Sequence, residues 1–560
     1  MFNSKKTTLG TTPKTTASAK NVLSNPFVNA GLKKGAQTLS GNGALKFETS
    51  GDVFTDQFTF LGTYKVPRSF KDIEADCEKL WAEDKRKAVM FTFYIRLITR
   101  QVSLFDGSKT EVSQKGAELK HEGIMRMIWL HQKDQASFWK NIGLFVSCGS
   151  WQDVIKMLQY DLTFHGWEGR VLNWEKFGKL ILSGLSNENT SELLKKYLPQ
   201  IKANSACKTV DAQADTMIAK WICSLAFGAK SENSGKNYKA YRKLKSTGTA
   251  HEFQQLISQR KFDLLDFNKI HGRALWLMSK SKFLKNQGLE QKYAEFIGNP
   301  ETKDVKYTGF VHELFETLAP QLSQLDVNRR ETINKQFATL VKKGGESEIT
   351  KFIVVRDTSG SMGSTCTGTK MSCYNVAKAL ALYFSEFLSG KFADSWIEFN
   401  SSAKLNSWIG NSPIEKWYNE HSGYVGGTNF QSVIKLFCDI KNQGVSEEDF
   451  PTGILCISDS EFNPTSLGKT NVDTALDTLK NAGFSDEYVS NFKIVLWNLQ
   501  NNYYGSNSGK KFETYGDVQN VFYYSGFSAS TIGFLTGKIE TASELVEAAL
   551  AQEILEMIEV

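Results

Sequence analysis

Asp357, Ser359 and Ser361 stand at alternate positions where the β-prone run Phe352-Ile353-Val354-Val355 gives way through Arg356 to a loop. One carboxylate and two hydroxyls are hard oxygen donors, and they suit magnesium, which takes few carboxylates and keeps some of its waters. Two later segments carry the same chemistry. Gly426-Gly427-Thr428-Asn429-Phe430 presents a threonine hydroxyl from a glycine-loosened loop, just before a helical pattern over 430–440. Ile454-Leu455-Cys456-Ile457 runs into Ser458, Asp459, Ser460 and Glu461, a second acidic loop. Together these place Asp357, Ser359, Ser361, Thr428 and Asp459 as candidate ligands of Mg2+ or another divalent cation, with Ser458 and Glu461 in support. No general base accompanies the set, so gripping a ligand is the expected chemistry and hydrolysis is not.

The elements that must position these residues are short apolar runs alternating with helical patterns, which indicate βαβ units and a parallel sheet. Further strands are expected at 396–399, 492–497 and 520–524, with helices at 374–388 and 472–482. In such sheets the loops at the carboxyl ends of the strands converge. The order, spacing and context of the three loops resemble the metal-ion-dependent adhesion site (MIDAS) of von Willebrand factor A domains. That resemblance implies an α/β doubly wound, Rossmann-like domain over 349–540 with an open cation position for a partner's carboxylate. The alternative is three separate polar turns that cap helices. After this domain, Thr541-Ala542-Ser543-Glu544 opens an amphipathic C-terminal helix over 541–560, expected to pack on the domain or its neighbour.

A chain of 560 residues calls for two or three domains. Hydrophobic content of 41% and charged content of 23% describe a globular protein, and no run reaches the roughly 20 apolar residues of a membrane span. The first residues show no secretory pattern, and the eight cysteines are scattered without a C-x-x-C pair, so a reducing, cytoplasmic setting is expected. Residues 1–350 hold 52 Lys and Arg against 36 Asp and Glu, a net +16, whereas residues 351–560 hold 15 against 24, a net −9. That split points to a polyanion at the first region. Residues 1–50, rich in Thr, Ser, Lys, Gly and Asn, are expected to form a disordered tail. From 60 to 342 helical patterns recur with almost no strand punctuation, among them one over 70–100. They fit antiparallel pairs stacked as an irregular, HEAT-like helical-repeat ring or arc. A linker at 341–348 joins the two regions.

The segments Cys148-Gly149-Ser150-Trp151-Gln152-Asp153-Val154, Tyr241-Arg242-Lys243-Leu244 and Phe262 to Ala274 resemble the TROVE module of Ro-type RNA-binding proteins, with His271-Gly272 standing where that family usually has Pro-Ser. An appended A domain is that family's second half. With Gly426-Gly427-Thr428-Asn429-Phe430 and Ser458-Asp459-Ser460-Glu461-Phe462-Asn463 at the second and third loops, the chain resembles more closely that family's divergent prokaryotic and viral branch. The resemblance implies a helical ring fastened by the A domain, small structured or misfolded RNA as ligand, and binding rather than cleavage. From the residues themselves, Lys236, Lys239, Tyr241, Arg242, Lys243 and Lys245 form the densest basic and aromatic stretch, and Lys280 and Lys282 follow Trp276 in another. Cations meet phosphates and bases stack on rings; the alternative is a solvated helix face whose tyrosines pack inward. No phosphate loop, nucleophile elbow or H-E-x-x-H helix is present. The expected function is a non-catalytic, Ro-like ribonucleoprotein component. The competing reading is an adaptor or virion-associated structural protein that grips an acidic partner through the metal site, and a weaker one is a metal-dependent nuclease.

Overall fold

The computed structural model describes the chain apart from residues 1–36, 40–41, 48, 62–66, 103, 105–111, 189, 229–233, 247–251, 271, 303–304, 308, 345–347, 461, 466–468, 500–517 and 536–537. Helices dominate as far as Gly344, and a six-stranded sheet with flanking helices follows. No helix among the described residues is long and apolar enough to cross a membrane.

Part of the expected tail is ordered. β1 (Gln37–Leu39) pairs antiparallel with β2 (Leu45–Phe47), and Asn42-Gly43, with Gly43 at φ 86°, lies in the turn between them. Asn-Gly is a strong hairpin signal that a polar composition masks. Residues 1–36 lie outside the described residues. The single helix expected over 70–100 is two, Phe70–Glu83 and Lys85–Arg96, because Asp84 adopts φ −153° and its carboxylate accepts from Lys87 N to start the second. Asp134 caps the next junction, between Lys120–Lys133 and Gln135–Cys148. Side-chain caps of this kind satisfy the orphan amides of a new helix. A second hairpin, β3 (Arg100–Val102) with β4 (Val112–Gln114), interrupts the helices.

Both ends of the helical region rest on the C-terminal domain. At the first end, the helix Val53–Thr59 packs on the sheet's last strand and, with Lys85–Arg96, on the helix Ala542–Leu550. Phe58 meets Tyr524 edge-on at 6.2 Å. The C-terminal segment is anchored by polar contacts as well: Gln552 exchanges two bonds with the Lys115 backbone, and Asn141 exchanges two with the backbone of Glu559. At the other end, the helix Val327–Gly344 packs on Pro413–Asn419, where Phe315 stacks on Trp417 at 4.4 Å. One of the apolar cores therefore spans both regions. Where the two ends meet the sheet lies a cavity of about 290 Å3, lined by Phe58, Tyr94, His121, Phe310 and Phe527 among others.

Gly272 shows how closely the later helices pack. A Cβ there would sit 1.8 Å from the Lys306 carbonyl oxygen, and Gln336 Nε2 donates to both the Gly272 and Lys306 carbonyls at 3.0 and 3.2 Å. Gly272→Ala is expected to cost at least about 1–3 kcal/mol, the usual penalty of overpacking, and urea denaturation will read it as a lower midpoint at unchanged slope.

The sheet comprises β5 (Phe352–Asp357), β6 (Ser395–Phe399), β7 (Ala403–Ser407), β8 (Gly453–Ser458), β9 (Lys493–Asn498) and β10 (Val521–Ser525), in the order β10-β9-β8-β5-β6-β7. All neighbours are parallel except β7, which runs antiparallel to β6 at the edge. β5 and β8 are buried at every position, as strands covered on both faces must be. Phe352 and Val354 join the core beneath the helix Cys373–Ser385, while Ile353 and Val355 join the core beneath Gln431–Lys441 and Asn471–Asn481.

Candidate metal and RNA sites

The chain leaves β5 toward β6 on one side and returns to β8 on the other, so the carboxyl ends of β5 and β8 form the switch point at which such sheets bind ligands. Asp357 is the last residue of β5 and is fully buried. Its carboxylate accepts from Ser359 N at 2.8 Å and from the Ser458 hydroxyl at the end of β8. Ser359 Oγ lies 3.1 Å from Ser361 Oγ, and Ser361 is exposed. The second loop is laced to the first by Val425 N→Thr358 O at 2.9 Å and Gly360 N→Gly426 O at 3.1 Å. Thr428 itself is buried and is tied to the third loop through Asn463, whose N–H donates to Thr428 O at 2.8 Å. The three loops therefore meet at one place.

Asp459 follows β8, and Ser460 takes a left-handed φ of 63°, with its N–H donating to Ser458 Oγ at 2.9 Å. A non-glycine residue in that region is a costly conformation that the surroundings must hold. Asp459 is 8% exposed. Burial, and then the charge of Asp459, push the Asp357 carboxyl up to about 7. Two carboxylates with hydroxyls around them, Asp357 made harder to ionise by Asp459, form a donor set that a divalent cation would relieve. Among the described residues no group of three or more His, Cys, Asp or Glu is placed to hold an ion, so the donors on offer are these two carboxylates and the hydroxyls. Glu461 lies outside the described residues.

Sequence reasoning missed the residues that brace this site. Arg356, fully buried, donates to Glu420 at 2.8 Å, and Lys378 reaches the same carboxylate at 2.7 Å. Asn463 and Ser401, the latter accepting from Gly427 N at 3.1 Å, hold the second loop. For Ser401 and Asn463 the only signal was a small polar residue after a strand, which is common.

The candidate RNA residues divide. Lys236, Lys239, Arg242 and Lys243 are exposed on the helix Ser234–Ser246. Tyr241 on the same helix is 1% exposed, and its hydroxyl donates to Pro199 O at 2.9 Å. That removes Tyr241 as a base platform; it is an inward-packed tyrosine. Lys245 bends back to donate to Leu198 O at 2.5 Å at the end of the helix Ser191–Tyr197, where burial pulls its pKa down. Lys280 and Lys282 are both exposed, and Lys280 pairs with Glu316 at 3.3 Å over the ring of buried Trp276.

Residues 351–556, which span the sheet and the terminal helices, match the family described as "Domain of unknown function (DUF7788)". No curated protein matches the chain. Among solved structures it is similar to the crystal structure of the Deinococcus radiodurans RO (RSR) protein, at 12% identity over 77% of this chain and 87% of that one, with a TM-score of 0.29.

Proposed function

We propose that the chain is a non-catalytic, Ro-like RNA-binding protein, in which a HEAT-like helical arc takes RNA and a von Willebrand factor A-like domain holds Mg2+ for a carboxylate-bearing partner. The observation that carries the RNA reading is the cationic face of Lys236, Lys239, Arg242 and Lys243, in a region of net charge +16. The TROVE-like motifs and the meeting of the three oxygen-rich loops support the same reading. At the metal site Asp357, Ser359, Ser361, Thr428 and Asp459 would hold the ion, which would supply a positive centre for an acidic ligand. Ser458 orients Asp357 through its hydrogen bond.

Affinity for single-stranded and hairpin RNA is expected to fall linearly with log salt, because bound phosphates release counterions. Converting Lys236, Lys239, Arg242 and Lys243 together to alanine is expected to lower the slope for single strands by up to about 3, at roughly 0.7 per phosphate contact. Fluorescence anisotropy across a salt series reads this. Salt-independent binding, or none, ends the reading. Intact RNA after incubation in Mg2+ is the expected result of a parallel gel assay, and degradation would restore the nuclease reading.

One observation favours the second reading, an adaptor or virion-associated protein. Tyr424 and Val425, 50% and 63% exposed, stand on the loop beside Thr428, where they would touch a protein partner. A parent that binds no RNA yet grips an acidic partner, and loses it in Asp357→Ala, supports the adaptor.

A further inference from the structure

The helix Trp151–His165 ends in a ring that the core does not absorb. Phe164 is 68% exposed and stacks on Tyr160, centroids 6.0 Å apart and planes 17° apart. Tyr160 is braced from behind by His121, whose ring meets it edge-on at 5.7 Å and whose Nδ1 lies 3.0 Å from its hydroxyl. His121 also lines the cavity where the two ends of the helical region meet the sheet. After Gly166, at φ 68°, the chain doubles back. Buried Asp161 pins that turn, accepting from Val171 N, Leu172 N and Trp174 Nε1 at 3.0, 3.1 and 2.8 Å. The turn carries Trp167, with the Arg170 guanidinium 3.7 Å above its ring, and Trp167 rests edge-on against Trp174 at 5.4 Å.

Resting on the RNA reading above, we propose that Phe164 on Tyr160, with Trp167 and Arg170 on the pinned turn, is a stacking ledge for unpaired bases of single-stranded RNA. An exposed ring held by a second ring is already immobilised, so a base that lands on it loses little to ordering the protein. Every base has a π face, and a guanidinium spread over an indole offers a flat cation next to it for a further base or a phosphate. An apolar peptide would be met by aliphatic pockets; the ledge offers flat rings and a cation in a basic region. Duplex RNA hides its bases, so the ledge serves single strands and leaves paired RNA to the lysine-rich helix.

The test uses the full chain, a fluorescein-labelled oligouridylate, and a duplex of similar length. Phe164→Ala is expected to weaken oligouridylate binding about 5- to 140-fold, with duplex affinity within about twofold. Phe164→Trp should retain the affinity, and Arg170→Gln should lower the single-strand salt slope by about 0.7. Phe164 is exposed, so the thermal midpoint should hold across these variants. Single-strand affinity unchanged in Phe164→Ala overturns the ledge alone and leaves its rings to a protein contact. Single-strand and duplex affinity falling together overturns it as well. A parent protein that binds neither RNA overturns the RNA reading itself, and the ledge with it.

Discussion

Replacing Glu420 with glutamine is expected to destabilise the folded chain by about 3–5 kcal/mol, the scale for breaking a buried ion pair from one side. Glu420 accepts from Arg356 at 2.8 and 3.2 Å and from Lys378 at 2.7 Å, with side chains 5%, 0% and 8% exposed. Glutamine keeps the shape and removes the charge, leaving two cations buried. Arg356 has no route out, since its guanidinium lies over the rings of Trp396 and Tyr374 at 4.3 and 4.8 Å. The consequence extends to the metal loops. Ser422 N donates to Glu420 at 2.8 Å and Lys378 donates to its backbone oxygen at 2.9 Å, so the carboxylate also anchors the strand of chain that leads to Gly426 and Thr428.

The pH dependence carries a definite sign. Burial alone would raise the Glu420 pKa, but Arg356 and Lys378 outweigh it and hold the group at about 2, against 4.5 for an ordinary glutamate. The unfolded chain therefore takes up this proton first as pH falls. The stabilisation is complete above pH ~4.5 and is lost toward pH ~2, amounting to roughly 3 kcal/mol. Lys378 is pulled down by its own burial with Glu420 opposing, so Arg356 is the firmer partner. Urea denaturation in neutral and acid buffers checks this. Glu420→Gln should lack the acid-induced loss attributable to this group, and a parent-like midpoint at neutral pH would refute the argument.

How much of this was legible in the sequence depends on how local each cause is. β5 and β8 were readable because four or more apolar residues in a row, ended by polar loops, have few other fates. The convergence of their loops followed from parallel connectivity. Asp84 was overlooked because the apolar spacing on either side of it continues in phase, and only the cap shows the break. β7 was missed because Ala-Lys-Leu-Asn-Ser, at a half-exposed edge, carries little hydrophobic signal. The Arg356–Glu420 pair spans 64 positions, and no local pattern selects that partner. Tyr241 was misjudged for a similar reason. An aromatic among lysines reads alike whether it points out or in, and only the neighbouring Pro199 carbonyl distinguishes the two. Phe164 escaped notice because a phenylalanine between Thr163 and His165 at a helix end reads alike whether it points in or out.

Mg2+ at a hundredfold its dissociation constant is expected to stabilise the protein by about 2.7 kcal/mol, and Asp357→Asn is expected to abolish that gain while making the cation-free protein more stable at neutral pH and above. The reversal follows from the site's own electrostatics. Burial first, and the facing Asp459 second, raise the Asp357 pKa from 3.8 to about 7. The folded protein thus holds a proton that the unfolded chain gives up near pH 3.8. The Asp357 contribution to cation-free stability is fullest below that value and declines as pH rises through about 7, by roughly 4 kcal/mol in all. Asparagine cannot ionise, still accepts from Ser359 N through its carbonyl, and meets a Ser458 hydroxyl free to turn from donor to acceptor. Denaturation with excess EDTA and with Mg2+, in mildly acid and mildly alkaline buffer, separates the terms. The parent should gain most from the ion at alkaline pH, and Asp357→Asn should be flat in both. A parent indifferent to Mg2+, or a variant that keeps the response, would remove the cation site. The same sign governs the partner. A region of net charge −9 repels an acidic ligand, and only a cation at Asp357 and Asp459 reverses the local field. Binding of an acidic partner must therefore disappear both in EDTA and in Asp357→Asn, although that variant is the more stable cation-free protein.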